Sequence, residues 1–179
     1  MSANHGGLLL LHSAELALLE KLRLWGWERL LFIDCGDGWV AEEAWRRLVK
    51  GCVCGVDRSP ELVAGAARMR GVPGKLEFKT WDGRQLPYPD TYFDSVVWPC
   101  DAADWTDVLG VVCEMRRVAR AGAELYLVGS PRGVDLLAGT SEWQNLLEQA
   151  GLLLHDTRSF MAENTASRIL RACSAAGLP

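Results

Sequence analysis

Short apolar segments that alternate with stretches of helical periodicity constrain the fold of this chain more than any other feature. The apolar segments have the length of strands, and the stretches between them repeat their apolar positions at helical spacing. Such an alternation predicts a parallel sheet covered by helices. The predicted strands are 29–34, 52–57, 76–80, 93–98 and 123–129, and the predicted helices are 13–24, 40–50, 59–70 and 104–119.

The C-terminal part departs from this alternation. A helix is predicted for residues 141–150, but two further strands, 152–158 and 167–173, follow without a helix between them. One of the two must therefore run antiparallel. We expect a single α/β domain over residues 1–179, with a Rossmann-like, mostly parallel seven-stranded sheet. An antiparallel C-terminal hairpin should form its edge, and helices should cover both faces.

Composition narrows the classes of function. Lys and Arg total 19 against 23 Asp and Glu, and this net charge of −4 argues against nucleic acid, whose phosphates are bound by clustered cations. Apolar runs such as Leu8–Leu11 are far shorter than the ~20 residues of a membrane span, and no basic residue precedes that run as in a secretory signal. We therefore expect a cytoplasmic protein without a membrane span.

The six cysteines lie mostly in apolar segments, and the three histidines are scattered at positions 5, 12 and 155. Cys52 and Cys54 are close in sequence, but neither a second pair nor a histidine cluster accompanies them. We therefore expect no metal site and interpret the cysteines as buried thiols of a protein in a reducing compartment.

The segments that follow the predicted strands carry a family resemblance, and ligands of parallel sheets bind at these carboxyl ends. The segment from Phe32 to Gly38, F-I-D-C-G-D-G, resembles the first motif of class I S-adenosylmethionine-dependent methyltransferases. The segment 55–59 resembles the second motif, in which an acidic residue ends the next strand. Four further segments are similar to the small-molecule branch that includes the quinone-biosynthesis methyltransferases: 81–83, 86–90, 93–97 and 114–118.

The resemblance implies S-adenosylmethionine as the cofactor. It implies that Asp57 accepts hydrogen bonds from the ribose hydroxyls and that Asp82 faces the adenine amino group. The loop after the first strand would hold the methionine half. The implied cofactor-binding residues are Asp34, Gly36, Gly38, Asp57, Arg58, Asp82, Gly83 and Trp98.

The residue types suit these roles, and each also has a structural alternative. Gly36 and Gly38 lack side chains, so the backbone can approach a ligand, and the helix that follows favours a carboxylate at its N-terminus. The two glycines are equally consistent with a tight turn. Asp57 is also consistent with a carboxylate that precedes a helix, Asp82 with a surface turn, and Trp98 with a core residue.

Two neighbouring residues depart from the family pattern. Val40 stands where a third glycine is usual, and the bulky Trp39 precedes it. Either the start of the helix has moved slightly, or Trp39 narrows the pocket for the methionine half.

The resemblance places the methyl acceptor beside the loop after the fourth strand. Asp101 and Asp104 are the candidate catalytic residues, since a carboxylate there could orient or deprotonate an acceptor. Capping of the following helix is the structural alternative for either residue.

Two functions from different classes follow. One is a methyltransferase that acts on a small-molecule acceptor, and the other is a non-catalytic, methyltransferase-like partner or regulatory subunit. A nicotinamide-dependent oxidoreductase is a third, because Gly36, Gly38 and Ala41 also fit a looser dinucleotide fingerprint. Few residues are available to roof an acceptor pocket, so we expect a homodimer or a complex with a protein partner to complete it.

Overall fold

A computed structural model of the chain describes residues 13–100, 107–129, 140–162 and 165–174. The helices are α1 (Ser13–Leu19), α2 (Trp39–Arg47), α3 (Pro60–Arg70), α4 (Val108–Val118) and α5 (Thr140–Gln149). The strands are β1 (Arg29–Ile33), β2 (Cys52–Asp57), β3 (Leu76–Thr80), β4 (Phe93–Cys100), β5 (Ala119–Gly129), β6 (Leu152–Ala162) and β7 (Thr165–Ser174).

The strands form one seven-stranded sheet in the order β3-β2-β1-β4-β5-β7-β6. Strands β1 to β5 pair in parallel, and β7 runs antiparallel to both β5 and β6. The predicted mixed sheet with an antiparallel C-terminal hairpin is therefore confirmed. Chain order reverses direction between β1 and β4, where Phe32 is in register with Gly55 on one side and with Val97 on the other.

Helices cover both faces of the sheet, as predicted. On one face, α1 and α2 bury Leu18, Leu19 and Ala44 against β1 and its neighbours. On the other face, α4 and α5 bury Met115 and Leu147. Both faces of the central strands are therefore buried, which explains why the sequences of these strands are continuous apolar runs.

Element bounds agree with the sequence where local signals are strong. Strands β2 and β3 have the predicted bounds. Helix α3 starts at Pro60, where the Ser59 hydroxyl caps it by accepting from the Leu62 amide at 3.2 Å, and it ends at Arg70 as predicted.

Three helices are shorter than predicted. Helix α2 ends at Arg47 rather than at residue 50. Helix α1 ends at Leu19 rather than at residue 24. The chain turns directly after Leu19, and the Lys21 amide donates to the Leu18 carbonyl at 2.8 Å. Helix α4 begins at Val108 rather than residue 104, because the side chain of Asp107 caps it.

The cysteine prediction is confirmed in part. Cys35 and Cys54 are buried, and the described cysteine side chains form no disulfide. Cys113 is exposed, so the expectation of burial is wrong there: α4 turns Val112 and Met115 toward the sheet and Cys113 away from it. Within the described ranges no cluster of metal-ligating side chains is found. None of the described helices is long and apolar enough to cross a membrane.

Candidate functional site

The loop that joins β1 to α2 reverses the chain within a few residues. Asp34, Gly36 and Gly38 have φ angles of 53°, 56° and 80°, in the left-handed region. The Cys35 amide donates to the Val56 carbonyl at 3.0 Å, which ties the loop to the end of β2. Asp is one of the non-glycine residues that tolerate this region. The loop therefore lies at the carboxyl edge of the sheet, at the switch in strand order.

The two glycines of this loop serve different purposes. A Cβ atom on Gly38 would lie 2.7 Å from two ring atoms of Phe78 and 3.0 Å from the Cβ atom of Ala66. A Cβ atom on Gly36 would meet nothing within 4 Å. Close packing between α2, α3 and β3 therefore requires glycine at 38. The backbone at Gly36 borders open space, where a ligand can approach it.

Asp57 joins this loop to the start of α3. Its side chain lies at the end of β2 and the residue is only 9% exposed. Oδ2 accepts a hydrogen bond from the Gly36 amide at 2.9 Å, and Oδ1 accepts one from the Ser59 amide at 2.9 Å. An ionised carboxylate offers about four acceptor positions. Asp57 therefore orders the loop and keeps acceptor capacity beside the open side of Gly36.

Trp98 lies fully buried in β4, as expected for a core residue. Its indole Nε1 donates to Oδ2 of Asp34 at 3.1 Å. Since β4 is the parallel neighbour of β1, this bond spans the switch point and holds the left-handed Asp34. The structure thus gathers Asp34, Gly36, Asp57 and Trp98 in one place, with Trp98 beneath the loop as a support.

Asp82 lies farther along the same edge of the sheet, after β3. It is exposed, and its Oδ1 accepts from the amides of Arg84 at 2.9 Å and Gln85 at 3.0 Å. These two hydrogen bonds lower the pKa of Asp82, and the one from the Gln85 amide has the larger effect. Gly83 has a φ of 81°. This is the geometry of the surface turn that the sequence allowed. Arg58, directly after Asp57, is also exposed.

The position of Trp39 bears on the departure from the family pattern. Helix α2 begins at Trp39, one residue before the predicted start, with the left-handed Gly38 as its N-cap. The amide of Trp39 donates to Oδ1 of Asp37 at 3.0 Å, and the half-buried ring packs against the apolar cluster on the α1 and α2 face. The start of the helix is therefore shifted by one residue, and the narrowing of the methionine pocket by Trp39 stays a prediction.

Arg70 is a residue that the sequence did not single out. From the end of α3, its Nε donates to the Asp37 carbonyl at 2.9 Å, and its guanidinium also binds Oδ2 of Asp37 at 3.0 Å and the carboxylate of Glu42. Burial opposes the charged form, but these hydrogen bonds raise the pKa of Arg70. Arg70 balances two acidic residues beside the loop. Basic residues are common at helix ends, so no sequence signal distinguished it.

Glu114 and Arg117 were noted only as part of a motif, and the structure shows their role. Arg117 donates to both carboxylate oxygens of Glu114 at 2.7 Å and to the carbonyls of Tyr88 at 2.9 Å and Leu86 at 3.1 Å. Glu114 also accepts from the amide of Leu86 at 2.8 Å. This network fixes the loop between β3 and β4 on α4.

Cys35 is chemically quiet despite its place in the loop. Burial, with a smaller contribution from the charge of Asp57, raises the pKa of the Cys35 thiol to about 12. The thiolate is the nucleophilic form of cysteine, and it is absent near neutral pH. Cys35 therefore acts as a small packing residue.

The candidate catalytic residues Asp101 and Asp104 lie outside the described residues, as do Leu8–Leu11. The structure therefore leaves the acceptor side of the site as a prediction.

A glycine-containing loop after β1, an acidic residue at the end of β2 and this strand order define the class I methyltransferase fold. The chain belongs to the family described as "Methyltransferase domain", which matches residues 31–127. S-adenosylmethionine is the methyl donor that this membership implies.

Curated relatives agree with this family. A 27-O-demethylrifamycin SV methyltransferase of Amycolatopsis mediterranei is 32% identical over 75% of this chain and 57% of its own length. A 2-phytyl-1,4-naphtoquinone methyltransferase of Synechococcus elongatus is 28% identical over 59% of this chain and 47% of its own length. The chain thus spans about half the length of the curated relatives it matches.

Solved structures support the fold. A chain from the complex of the Haloferax volcanii Trm112 methyltransferase activator with its methyltransferase partner superposes with a TM-score of 0.77 at 16% identity. The similarity covers 92% of this chain and 89% of that one.

Proposed function

We propose that this chain binds S-adenosylmethionine at the carboxyl edge of the sheet and transfers the methyl group to a small-molecule acceptor. The observation that carries the proposal is the arrangement of Asp57 and Gly36. A nearly buried carboxylate orders the loop through the Gly36 amide and keeps acceptor capacity beside the open side of that glycine. A ligand that offers hydroxyl donors and approaches closely to the backbone suits such a place.

The residues present fit the cofactor. Asp57 would accept from the ribose hydroxyls, and the loop at Gly36 would hold the methionine half near the start of α2, whose amides favour a carboxylate. Asp82 would accept from the adenine amino group, since its exposed carboxylate lies at the same edge of the sheet. Three further residues would lie beside the cofactor, and we propose no charged contact for them: Gly38, Arg58 and Gly83.

The residues of this chain contribute by positioning the cofactor. When bound, the cofactor supplies a methyl group on a sulfonium, which is already activated for transfer. Trp98 and Asp34 hold the loop in its left-handed form, and Arg70 offsets the negative charge of Asp37 next to the place for a carboxylate. A base is needed only where the acceptor must lose a proton, and Asp101 and Asp104 are the candidates.

The acceptor class rests on the relatives. The two named above act, by their names, on a rifamycin and on a phytyl naphthoquinone, which are small organic molecules. We propose an acceptor of the same general class for this chain. Methylation of a defined panel of phenols, quinols and carboxylic acids, read as transfer of labelled methyl groups, tests it.

Cofactor binding is tested by calorimetry and by thermal shift with S-adenosylmethionine and, in parallel, with NAD. A ligand that binds only the native state raises the melting temperature by mass action. We expect a shift with S-adenosylmethionine and none with NAD. A shift with NAD alone, or with neither ligand, would contradict the proposal.

A non-catalytic, methyltransferase-like subunit is the second candidate, and the bulky Trp39 with Val40 in place of the family's usual third glycine favours it. A chain of this kind would give no methyl transfer without a partner. The sequence predicts a homodimer or a complex with a protein partner, and light scattering on the full chain distinguishes a homodimer from a monomer. Turnover by the isolated chain would exclude the non-catalytic alternative.

A further inference from the structure

Two tryptophans and a valine are exposed at the end of the sheet opposite the candidate site. Trp25 and Trp27 precede β1 and are 66% and 67% exposed, and Val49, which follows α2, is 84% exposed. A Cβ atom on Gly26 would lie 3.4 Å from Cγ2 of Val49, so the turn that carries the tryptophans touches the turn that carries the valine. We call these three side chains the tryptophan patch.

The backbone beneath the tryptophan patch is firmly held. Glu28 is 3% exposed, and its carboxylate accepts from the amide of Trp25 and from that of Gly26 at 2.8 Å. The Gly26 carbonyl accepts from the amides of Val49 and Lys50, each at 2.8 Å. The two turns are therefore one unit. The exposure of the patch belongs to a fixed conformation, since these bonds tie both turns to the start of β1.

The surroundings of the patch are basic in a chain that is acidic as a whole. Segments 20–29 and 46–50 contain six basic residues and two acidic ones, against a net charge of −4 for the chain. Of the two acidic residues, Glu28 is buried and faces backbone amides. Arg46 is paired with Glu42 and Glu43 on α2. All six basic side chains of the two segments are exposed: Lys21, Arg23, Arg29, Arg46, Arg47 and Lys50. Glu20 is the exposed acidic residue of these segments, and the carboxylate of Asp94 also lies at this end of the sheet, where it accepts from the Arg29 amide at 2.7 Å and pairs with Arg120.

We propose that the tryptophan patch binds the surface of an anionic phospholipid bilayer. Tryptophan favours the headgroup level of a bilayer, where its ring is buried and its N–H stays wet. Basic residues beside it are attracted to anionic headgroups. Val49 adds an aliphatic contact that suits the acyl boundary and has no use in binding a nucleic acid.

The size of the patch favours a lipid surface over a protein partner. With up to ~250 Å² for each aromatic side chain, the patch exposes on the order of 400–500 Å² of side chain. A stable protein interface buries ~800 Å² on each partner. A bilayer requires no such area, because a few inserted side chains and the surrounding charges act together. Peripheral binding of this kind also requires no membrane-spanning helix.

Co-sedimentation of the full chain with two kinds of vesicle tests the proposal: phosphatidylcholine alone and an equimolar mixture with phosphatidylglycerol. We expect binding to the mixed vesicles that weakens with salt and is much weaker on phosphatidylcholine alone. Trp25→Ala with Trp27→Ala should lower the partition coefficient at least about tenfold. Arg47→Gln with Lys50→Gln should lower it roughly fivefold for each charge removed.

Leu62→Ala is the matched control, because Leu62 is 44% exposed at the start of α3, at the opposite end of the sheet, and its loss should change nothing. Quenching of tryptophan fluorescence by brominated lipid should fall in the double tryptophan variant, whose melting curve shows whether it is folded. Failure of the wild-type chain to bind mixed vesicles would overturn the proposal. Equal binding by the tryptophan variant, or capture of an oligonucleotide or acidic protein through these residues instead of lipid, would also overturn it.

Discussion

At each end of the sheet a carboxylate anchors a loop, but the two loops present different groups to the solvent. At the carboxyl end, Asp57 accepts from the amides of Gly36 and Ser59; at the amino end, Glu28 accepts from those of Trp25 and Gly26. Both carboxylates are nearly buried, at 9% and 3% exposure. In each case a charge removed from water is compensated by backbone donors, which orders the loop that supplies them.

The difference lies in what the ordered loop presents. At the carboxyl end the loop presents Gly36, so the backbone itself and the carboxylate oxygens are within reach of a ligand. At the amino end the loop presents two large aromatic rings, and the carboxylate lies beneath them. Similar anchoring thus makes a recess at one end and an apolar surface at the other, and side-chain size decides between them.

Removal of the amino-end anchor should have the largest effect, and on stability alone. Glu28→Ala leaves two amides without their charged acceptor, and we expect a loss of about 2–4 kcal/mol in the free energy of unfolding. Urea denaturation measures it. The affinity of the folded protein for S-adenosylmethionine should stay unchanged.

Glu20→Ala is the control for this prediction, because Glu20 is exposed in the turn that follows α1 and its loss should cost less than about 0.5 kcal/mol. An equal loss in both variants would mean that Glu28 does not anchor the turn.

Removal of the carboxyl-end anchor should lower stability, because Asp57 accepts from two backbone amides, and should also weaken binding. Asp57→Ala removes the acceptor proposed for the ribose hydroxyls, and we expect affinity for S-adenosylmethionine to fall by about 1.5–3 kcal/mol, the range for hydrogen bonds to a charged group. Calorimetry measures the change.

The matched variant for Asp57 is Glu61→Gln, which alters an exposed carboxylate on the first turn of α3 and should leave the affinity intact. Unchanged affinity in Asp57→Ala would remove this residue from the proposed site and leave it as a loop anchor like Glu28.

Arg70 should give the smallest effect of the three. Arg70→Met releases Asp37 and Glu42 from their cation and leaves their negative charge near the place proposed for the methionine carboxylate. Because Asp37 is 58% exposed, solvent screens the interaction, and we expect a loss of affinity of about 1 kcal/mol or less. The loss should shrink at high salt.

Arg68→Met removes a basic residue from the same helical turn, where the side chain is exposed, and serves as the reference for Arg70. Identical affinities in the two variants would show that Arg70 supports only the fold.

Local signals explain the parts of the fold that could be predicted. Pro60 and the Ser59 cap set the start of α3, and unbroken apolar runs set β2 and β3, because these preferences act within a few residues. The predicted end of α1 at residue 24 is wrong, because the helical spacing of apolar residues continues to Leu22 although the chain turns after Leu19. Leu22 is buried from that turn rather than from a helix.

The sequence by itself determined the alternation of strands and helices, the antiparallel hairpin and the position of the glycine loop before α2. These depend on periodicity and on residues adjacent in the chain. Tertiary structure alone decided the partners of Asp34, Asp37 and Asp57, which are Trp98, Arg70 and the Gly36 amide, at separations of 64, 33 and 21 residues. A side chain's partner at such distances depends on how strands are ordered and helices packed, and no local pattern carries that information.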